Sequence, residues 1–170
     1  KLDCYESGVF IVGHVPDSLL KPTNDNQKNI KKVFTVKGNW TISTSTSVQY
    51  PDFQYYRNIE VLTNMTGHQH LPRFSGTFRY ETEFESTDVL KAKTLDLGHV
   101  YETAEVWINN HHVGVRICPP YRFDISNLLI KGKNRLRIDV TNTLVKEIHD
   151  QFSINAMQEP SGLLGPVNIY

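Results

Sequence analysis

Residues 95–143 read LDLGHVYETAEVWINNHHVGVRICPPYRFDISNLLIKGKNRLRIDVTNT, and the fold class is decided there. Ala104, Val106 and Ile108 alternate with Glu105, Trp107 and Asn109, so one face of this run is apolar and the other mixed, the signature of a half-buried strand. Asn109-Asn110 breaks the run, and paired asparagines tolerate the left-handed backbone that a tight hairpin turn demands. A second run follows from His112 to Ile117, placing Val113, Val115 and Ile117 together. The two runs predict a β-hairpin. Pro119-Pro120 ends it, since proline has no N–H to give a ladder. Ser126 is placed to cap a short helical turn over Asn127 to Ile130, closed by Gly132. Arg135 to Thr141 returns as a strand with Leu136, Ile138 and Val140 on one side.

Working outward, the same habit recurs. Thr77 to Glu85 alternates cleanly, with Phe78, Tyr80, Thr82 and Phe84 on one face. Lys31 to Val36 and Trp40 to Thr46 read as strands around a turn at Lys37-Gly38-Asn39, and Lys93 to Leu97 as another ended by Gly98. Val9 to Val12, Phe152 to Ala156 and Pro166 to Tyr170 are further short strands. Residues 14–30 are polar and turn-rich, and residues 47–73 are irregular but carry Tyr50, Phe53, Tyr55 and Tyr56. Many short strands with strong turn signals and almost no helical period predict an all-β sandwich.

The order of several pieces adds a narrower expectation. They are L-D-L-G at 95–98, A-E-V-W-I-N-N at 104–110, V-G at 113–114, P-Y-R-F-D-I-S at 120–126, L-L-I-K-G-K-N at 128–134 and V-T-N-T at 140–143. F-S-G-T-F-R-Y at 74–80 and S-G-L-L-G-P-V at 161–167 extend the match on either side. Together they resemble the galactose-binding-like sugar-binding domain of glycoside hydrolases, over roughly residues 32–170. The ordering is most similar to the C-terminal sandwich of large α-L-rhamnosidase-like enzymes (glycoside hydrolase family 106), with G-V-F-I-V at 8–12 and the closing piece carrying that narrower likeness, and family 2-like hydrolases stand beside it. The resemblance implies a jelly roll of two antiparallel sheets, a lead-in over residues 1–31, and a long connection at 47–73 crossing the end of the sandwich. It departs after V-T-N-T, where such domains often carry a tryptophan and an N-R pair and this chain has Leu144 and Lys146-Glu147.

Bulk properties remove whole classes of function. A chain of 170 residues can bury a proper core. With zero formal net charge, nothing global draws it to nucleic acid or anionic lipid. No apolar run approaches a membrane span. No signal peptide is legible, and a start at Lys1 without methionine reads as a processed or excised piece of a larger enzyme. The parent is expected to be extracytoplasmic: secreted, periplasmic or at the cell surface. Two cysteines, Cys4 and Cys118, permit one disulfide without requiring it, and Cys118 is expected as a half-buried thiol.

Candidate chemistry is sparse. Hydrolysis of a glycoside needs two carboxylates flanking the bond. Among Asp96, Glu102, Glu105, Asp124, Asp139 and Asp150 no pair stands out, and the resemblance agrees that catalysis lies elsewhere in such enzymes. Asp124 is read as a partner for backbone N–H groups at the turn, and Asp96 and Asp139 as solvated residues on strand faces. His111-His112 point to opposite sides of a strand, and His68 and His70 lack a third ligand. No cofactor is expected. A structural calcium would find only Asn24, Asp25 and Asn26 as a hint of oxygen ligands. Asn39-Trp40-Thr41 and Asn64-Met65-Thr66 match the glycosylation triplet.

Ligand contact is assigned to Tyr121, Arg122 and Trp107. Tyr121 and Arg122 follow a stiff proline pair at a sandwich end, where a flat aromatic and a planar fork of donors suit sugar hydroxyls or an acidic partner. Trp107 lies on the non-core side of its strand. The competing reading has Tyr121 plugging the core and Arg122 pairing locally with Asp124. The expected role is a non-catalytic accessory domain of a glycoside hydrolase, its partners carbohydrate and the parent's catalytic domain. The alternative is an independent glycan- or protein-binding module of a cell-surface or secreted protein.

Overall fold

The computed structural model describes Gly13 and residues 34–86, 92–148 and 157–170. Twelve strands account for about half of them. In chain order these are β1 (Phe34–Thr35), β2 (Trp40–Ser45), β3 (Gln54–Ile59), β4 (Thr77–Ser86), β5 (Thr94–Asp96), β6 (His99–Tyr101), β7 (Thr103–Ile108), β8 (His111–Arg116), β9 (Arg122–Asp124) and β10 (Gly132–Thr141). One helical turn, α1 (Val145–Ile148), precedes β11 (Gly162–Gly165) and β12 (Asn168–Ile169). The larger sheet has six strands in the order β3-β2-β4-β10-β7-β8, and the smaller has four in the order β1-β12-β5-β9. β11 and β6 form a separate antiparallel pair. Every ladder in the two larger sheets is antiparallel, and the fold is the expected galactose-binding-like β-sandwich.

The periodicity of the sequence explains the core. Phe78, Tyr80 and Phe84 of β4, Leu136, Ile138 and Val140 of β10, and Ala104, Val106 and Ile108 of β7 all turn inward. They meet Leu95, Phe123 and Ile169 of the smaller sheet in one apolar cluster. Tyr80 is the one polar tip among them. Its hydroxyl oxygen accepts the Leu163 N–H at 3.0 Å, and burial pushes the phenol's pKa upward. Val106 is fully buried at the centre, paired with Ile138. Val106→Ala is therefore expected to cost about 1–3 kcal/mol through lost burial and a residual cavity. Glu105→Ala, on the opposite face, is expected to cost under about 0.5 kcal/mol. Denaturant midpoints that fall equally for both would contradict the facing of β7.

Asparagines tie the loops to this frame. Asn109 and Asn110 take φ of 51° and 67°, the left-handed pair expected of the hairpin turn. The Asn109 amide donates to the Leu128 carbonyl and to Asn134 Oδ1, and its own oxygen accepts the Arg135 N–H. Asn134, fully buried, accepts from Ile130 N and donates to the Ile130 and Gly132 carbonyls. Asn142 joins Gly76, Phe74 and Ser161 in the same manner. Buried amides of this kind are tolerated only when every donor and acceptor is met.

Several expectations need correction. Residues 54–59, expected to be irregular, form β3, an edge strand whose alternation is hidden because little of it is buried. Residues 126–128 make a turn rather than a helical one, as Asn127 has φ of 64° and cannot continue a right-handed helix. Asp124 organises that turn, accepting the Ser126 N–H at 2.9 Å, and bonding to Ser126 holds its carboxyl below the usual range. Val115 and Ile117 are exposed, since β8 is the outermost strand and a bulge opposite Val106 and Trp107 shifts its register. Cys118 is exposed rather than half-buried, while Cys4 lies outside the described residues. So do the expected strands at 9–12 and 152–156, the G-V-F-I-V piece and Asn24 to Asn26.

Candidate functional site

Tyr121 and Arg122 leave the hairpin by way of a cis Pro119–Pro120 peptide and then separate in role. Tyr121 is only 4% exposed, and its hydroxyl donates to the Glu102 carbonyl, so it plugs the core end. Arg122 opens β9, directly across from Asp96 on β5, and its Nε donates to Asp96 Oδ2 at 2.9 Å. Asp96 on the neighbouring strand is thus a partner of Arg122, while Asp124 is engaged with Ser126. The second Asp96 oxygen accepts the Gly98 N–H at 2.9 Å, which fixes the turn leading to β6. Asp96 is consequently a held carboxylate and not a freely solvated one.

This ion pair forms one wall of a cleft of about 660 Å³. His99 and Tyr101 of β6, Pro119 and Glu159 line the rest. The Lys146 ammonium lies close by, donating to the Glu159 carbonyl, and burial lowers its pKa. The cleft therefore presents an imidazole, a phenol ring, a guanidinium and carboxylates within reach of one small polar ligand. Arg122 is visible in the sequence as a member of this site. His99, Tyr101 and Glu159 are not, because β6 and the approach to β11 are brought together only by the β6–β11 pairing.

Trp107 sits elsewhere, on the outer face of the six-stranded sheet. Arg137 covers its ring, with Cζ 3.9 Å from the centroid, and His112 leans on it at 5.2 Å. Asp139, expected on the solvated face, is 4% exposed. Arg79 and Arg137 each grip it with Nε and Nη2, at 2.9 and 2.8 Å and at 3.2 and 2.8 Å. The alternation placed Asp139 on the correct face, but its partners on β4 and β10 close over it.

Among the described residues, most of the candidate acids are tied to partners of their own. Glu105 meets His112 Nε2 at 2.9 Å, Asp96 meets Arg122, Asp139 meets two arginines, and Asp150 lies outside the described residues. Among the described residues no three metal-binding side chains cluster, and His70 Nδ1 faces Arg57 Nη1 at 3.4 Å. The Asn64 oxygen takes three hydrogen bonds, from Thr66 N, Thr66 Oγ1 and Ser161 N, so its side chain has a structural task.

Comparison with known proteins bears on this arrangement. The profile of the family described as "Glycosyl hydrolase 2 galactose-binding domain-like" matches residues 26–162. A protein of Formosa agariphila named "Putative beta-glucuronidase" is 29% identical over 125 residues, which is 68% of this chain and 10% of that protein. The rhamnosidase of Novosphingobium sp. PP1Y superposes with a TM-score of 0.68 at 28% identity, over 82% of this chain and 15% of the enzyme. The β-D-mannosidase of Dictyoglomus thermophilum shares the fold at a TM-score of 0.55 and 15% identity, over 81% of this chain and 22% of that one.

Proposed function

Because the chain belongs to the glycosyl hydrolase 2 galactose-binding domain-like family, we propose that it is the non-catalytic accessory domain of a larger glycoside hydrolase, packing on the catalytic domain and contacting glycan at the Arg122 cleft. The observation that carries this reading is one of proportion. Most of the chain matches the family, yet it spans 10% of the Formosa protein and 15% of the rhamnosidase. In this reading residues 32–170 form the sandwich and residues 1–31 lead into it. The parent acts on a rhamnoside or a related glycoside, in an extracytoplasmic setting.

The Arg122 cleft suits that role on chemical grounds. Arg122 and Asp96 hold each other before any ligand arrives, which lowers the ordering cost of binding. Arg122 keeps about half its surface exposed while Asp96 fixes one edge of its fork. A planar guanidinium of this kind suits vicinal hydroxyls or an acidic side chain of the catalytic domain.

Two measurements test the reading together. The 170-residue chain is expected to turn over no aryl rhamnoside, galactoside or glucuronide; turnover abolished by replacing one of its carboxylates would make it an enzyme. Arg122→Ala is expected to weaken binding of methyl α-L-rhamnoside, or of the parent's catalytic domain, by about tenfold, the loss of one good polar contact. Tyr121→Phe serves as the fold control, since it removes only the bond to Glu102. Unchanged affinity of Arg122→Ala for every partner that binds the native chain would remove this cleft from consideration.

A further inference from the structure

The outer face of the six-stranded sheet carries a charge arrangement that the accessory role leaves unused. Asp139 on β10 is directly opposite Arg79 on β4, and Arg137 lies two residues along the same strand. Both guanidiniums bind this one carboxylate through Nε and Nη2. Each is also pinned against a ring: Arg79 Cζ is 3.4 Å from the Phe53 centroid, and Arg137 Cζ is 3.9 Å from that of Trp107. An acid on one edge and an aromatic face on one side leave the Nη1 edge of each guanidinium fixed and turned to other partners.

One guanidinium suffices to neutralise Asp139, so the second is surplus to the strand pairing. A cleft of about 480 Å³ makes the surplus visible, lined by Arg79, Glu81, Trp107, Asn110, Arg135 and Arg137. Glu81 is the one carboxylate of that lining, and Arg135 Nη2 bonds it at 2.6 Å. With Asp139 beneath, three arginines stand against two acids, leaving one positive charge. Glu105, one strand over, is bonded to His112 and does not line the cleft.

We propose that this cleft binds a carboxylate-bearing sugar, a uronate, through the free edges of Arg79 and Arg137. A planar fork of donors fits a carboxylate on two points, and a single surplus charge matches a monoanion better than a phosphate dianion. The Asn110 amide, the Trp107 indole and Glu81 supply neighbouring groups for ring hydroxyls. The volume accommodates one or two sugar rings. The proposal rests on the accessory-domain reading but uses a different face of the sandwich, so the two fail separately.

The test follows the Trp107 indole N–H resonance of the 15N-labelled 170-residue chain, against five probes: methyl β-D-glucuronide, methyl β-D-glucoside, sodium acetate, inorganic phosphate and a hexaglutamate peptide. The glucuronide is expected to shift the resonance saturably, with the other four weaker by about tenfold or more. Arg79→Lys keeps the charge on Asp139 but removes the fork, and is expected to weaken the glucuronide response about fivefold or more. Asn110→Gly, which preserves the left-handed turn, is expected to weaken it without lowering the melting temperature. No shift with the glucuronide up to about 20 mM, an equal shift with the glucoside, acetate or phosphate, or preferential binding of the peptide overturns the proposal. Rhamnoside binding at Arg122, read on its own side-chain N–H, reports the accessory reading independently.

Discussion

Asp139→Ala should destabilise the domain by about 3 kcal/mol, near the lower end of what breaking a buried ion pair costs. The carboxylate is 4% exposed and accepts four bonds, two from each of Arg79 and Arg137. Removing it leaves two guanidiniums facing each other across β4 and β10 with only partial access to water, at 18% and 29% exposure. That residual solvation is why the cost stays near the lower end. In a domain of this size the loss corresponds to a melting shift of about 6–12 °C. Replacing all three residues together, with Met at the arginines and Leu at Asp139, should recover much of the loss, because no unpaired charge then remains. Thermal or urea unfolding of both variants decides the matter. A loss below about 1 kcal/mol for Asp139→Ala would mean that the network behaves as an ordinary surface pair.

Gly98→Ala should cost about 4 kcal/mol, combining left-handed strain of about 1–2 with overpacking of about 1–3 kcal/mol. Gly98 takes φ of 64°, and a Cβ there would lie 2.5 Å from the Gly165 carbonyl oxygen and 2.8 Å from that of Pro166. Both obstacles are backbone, so relief requires moving β11 away from β6. The control is Gly132→Ala. Its φ is 95° and a Cβ would meet nothing within 4 Å, so it isolates the conformational part, at about 1–2 kcal/mol. Equal losses in the two variants would show that the β6–β11 junction yields easily.

Both effects arise where the sequence is least readable, and for the same reason. Alternation assigns a residue to a face, so Val106, Ile138 and Phe78 were legible as core without any knowledge of their neighbours. The same rule set Asp139 on the outer face correctly, but it cannot foresee Arg79 arriving from another strand to cover it. Asn109-Asn110 declared its turn because the turn is local. Val115 and Ile117 misled because periodicity does not say which strand lies at an edge. β3 escaped notice for the converse reason: an edge strand with little buried surface imposes no pattern on its residues. The Pro119–Arg122 segment was legible as a sandwich end, but not the split between a buried Tyr121 and an ion-paired Arg122. That split depends on Glu102 and Asp96, which only the folded sheets bring near.

The smaller sheet closes in an order that bears on how the protein is made. β12 lies between β1 and β5, so the last described strand is an interior member of its sheet and the first is its edge. Thr35 Oγ1 donates to Asn168 Oδ1 across 133 residues of chain. On a ribosome, β1 would emerge with no neighbour to receive it and wait for nearly the whole domain to be synthesised. The larger sheet, whose β4, β7, β8 and β10 are all translated earlier, can assemble first, leaving the part of its apolar face that Val167 and Ile169 cover bare until they arrive. Long-range closure of this kind is slow. The interval in which that face is bare is when the nascent chain most needs a chaperone or a neighbouring domain to cover it.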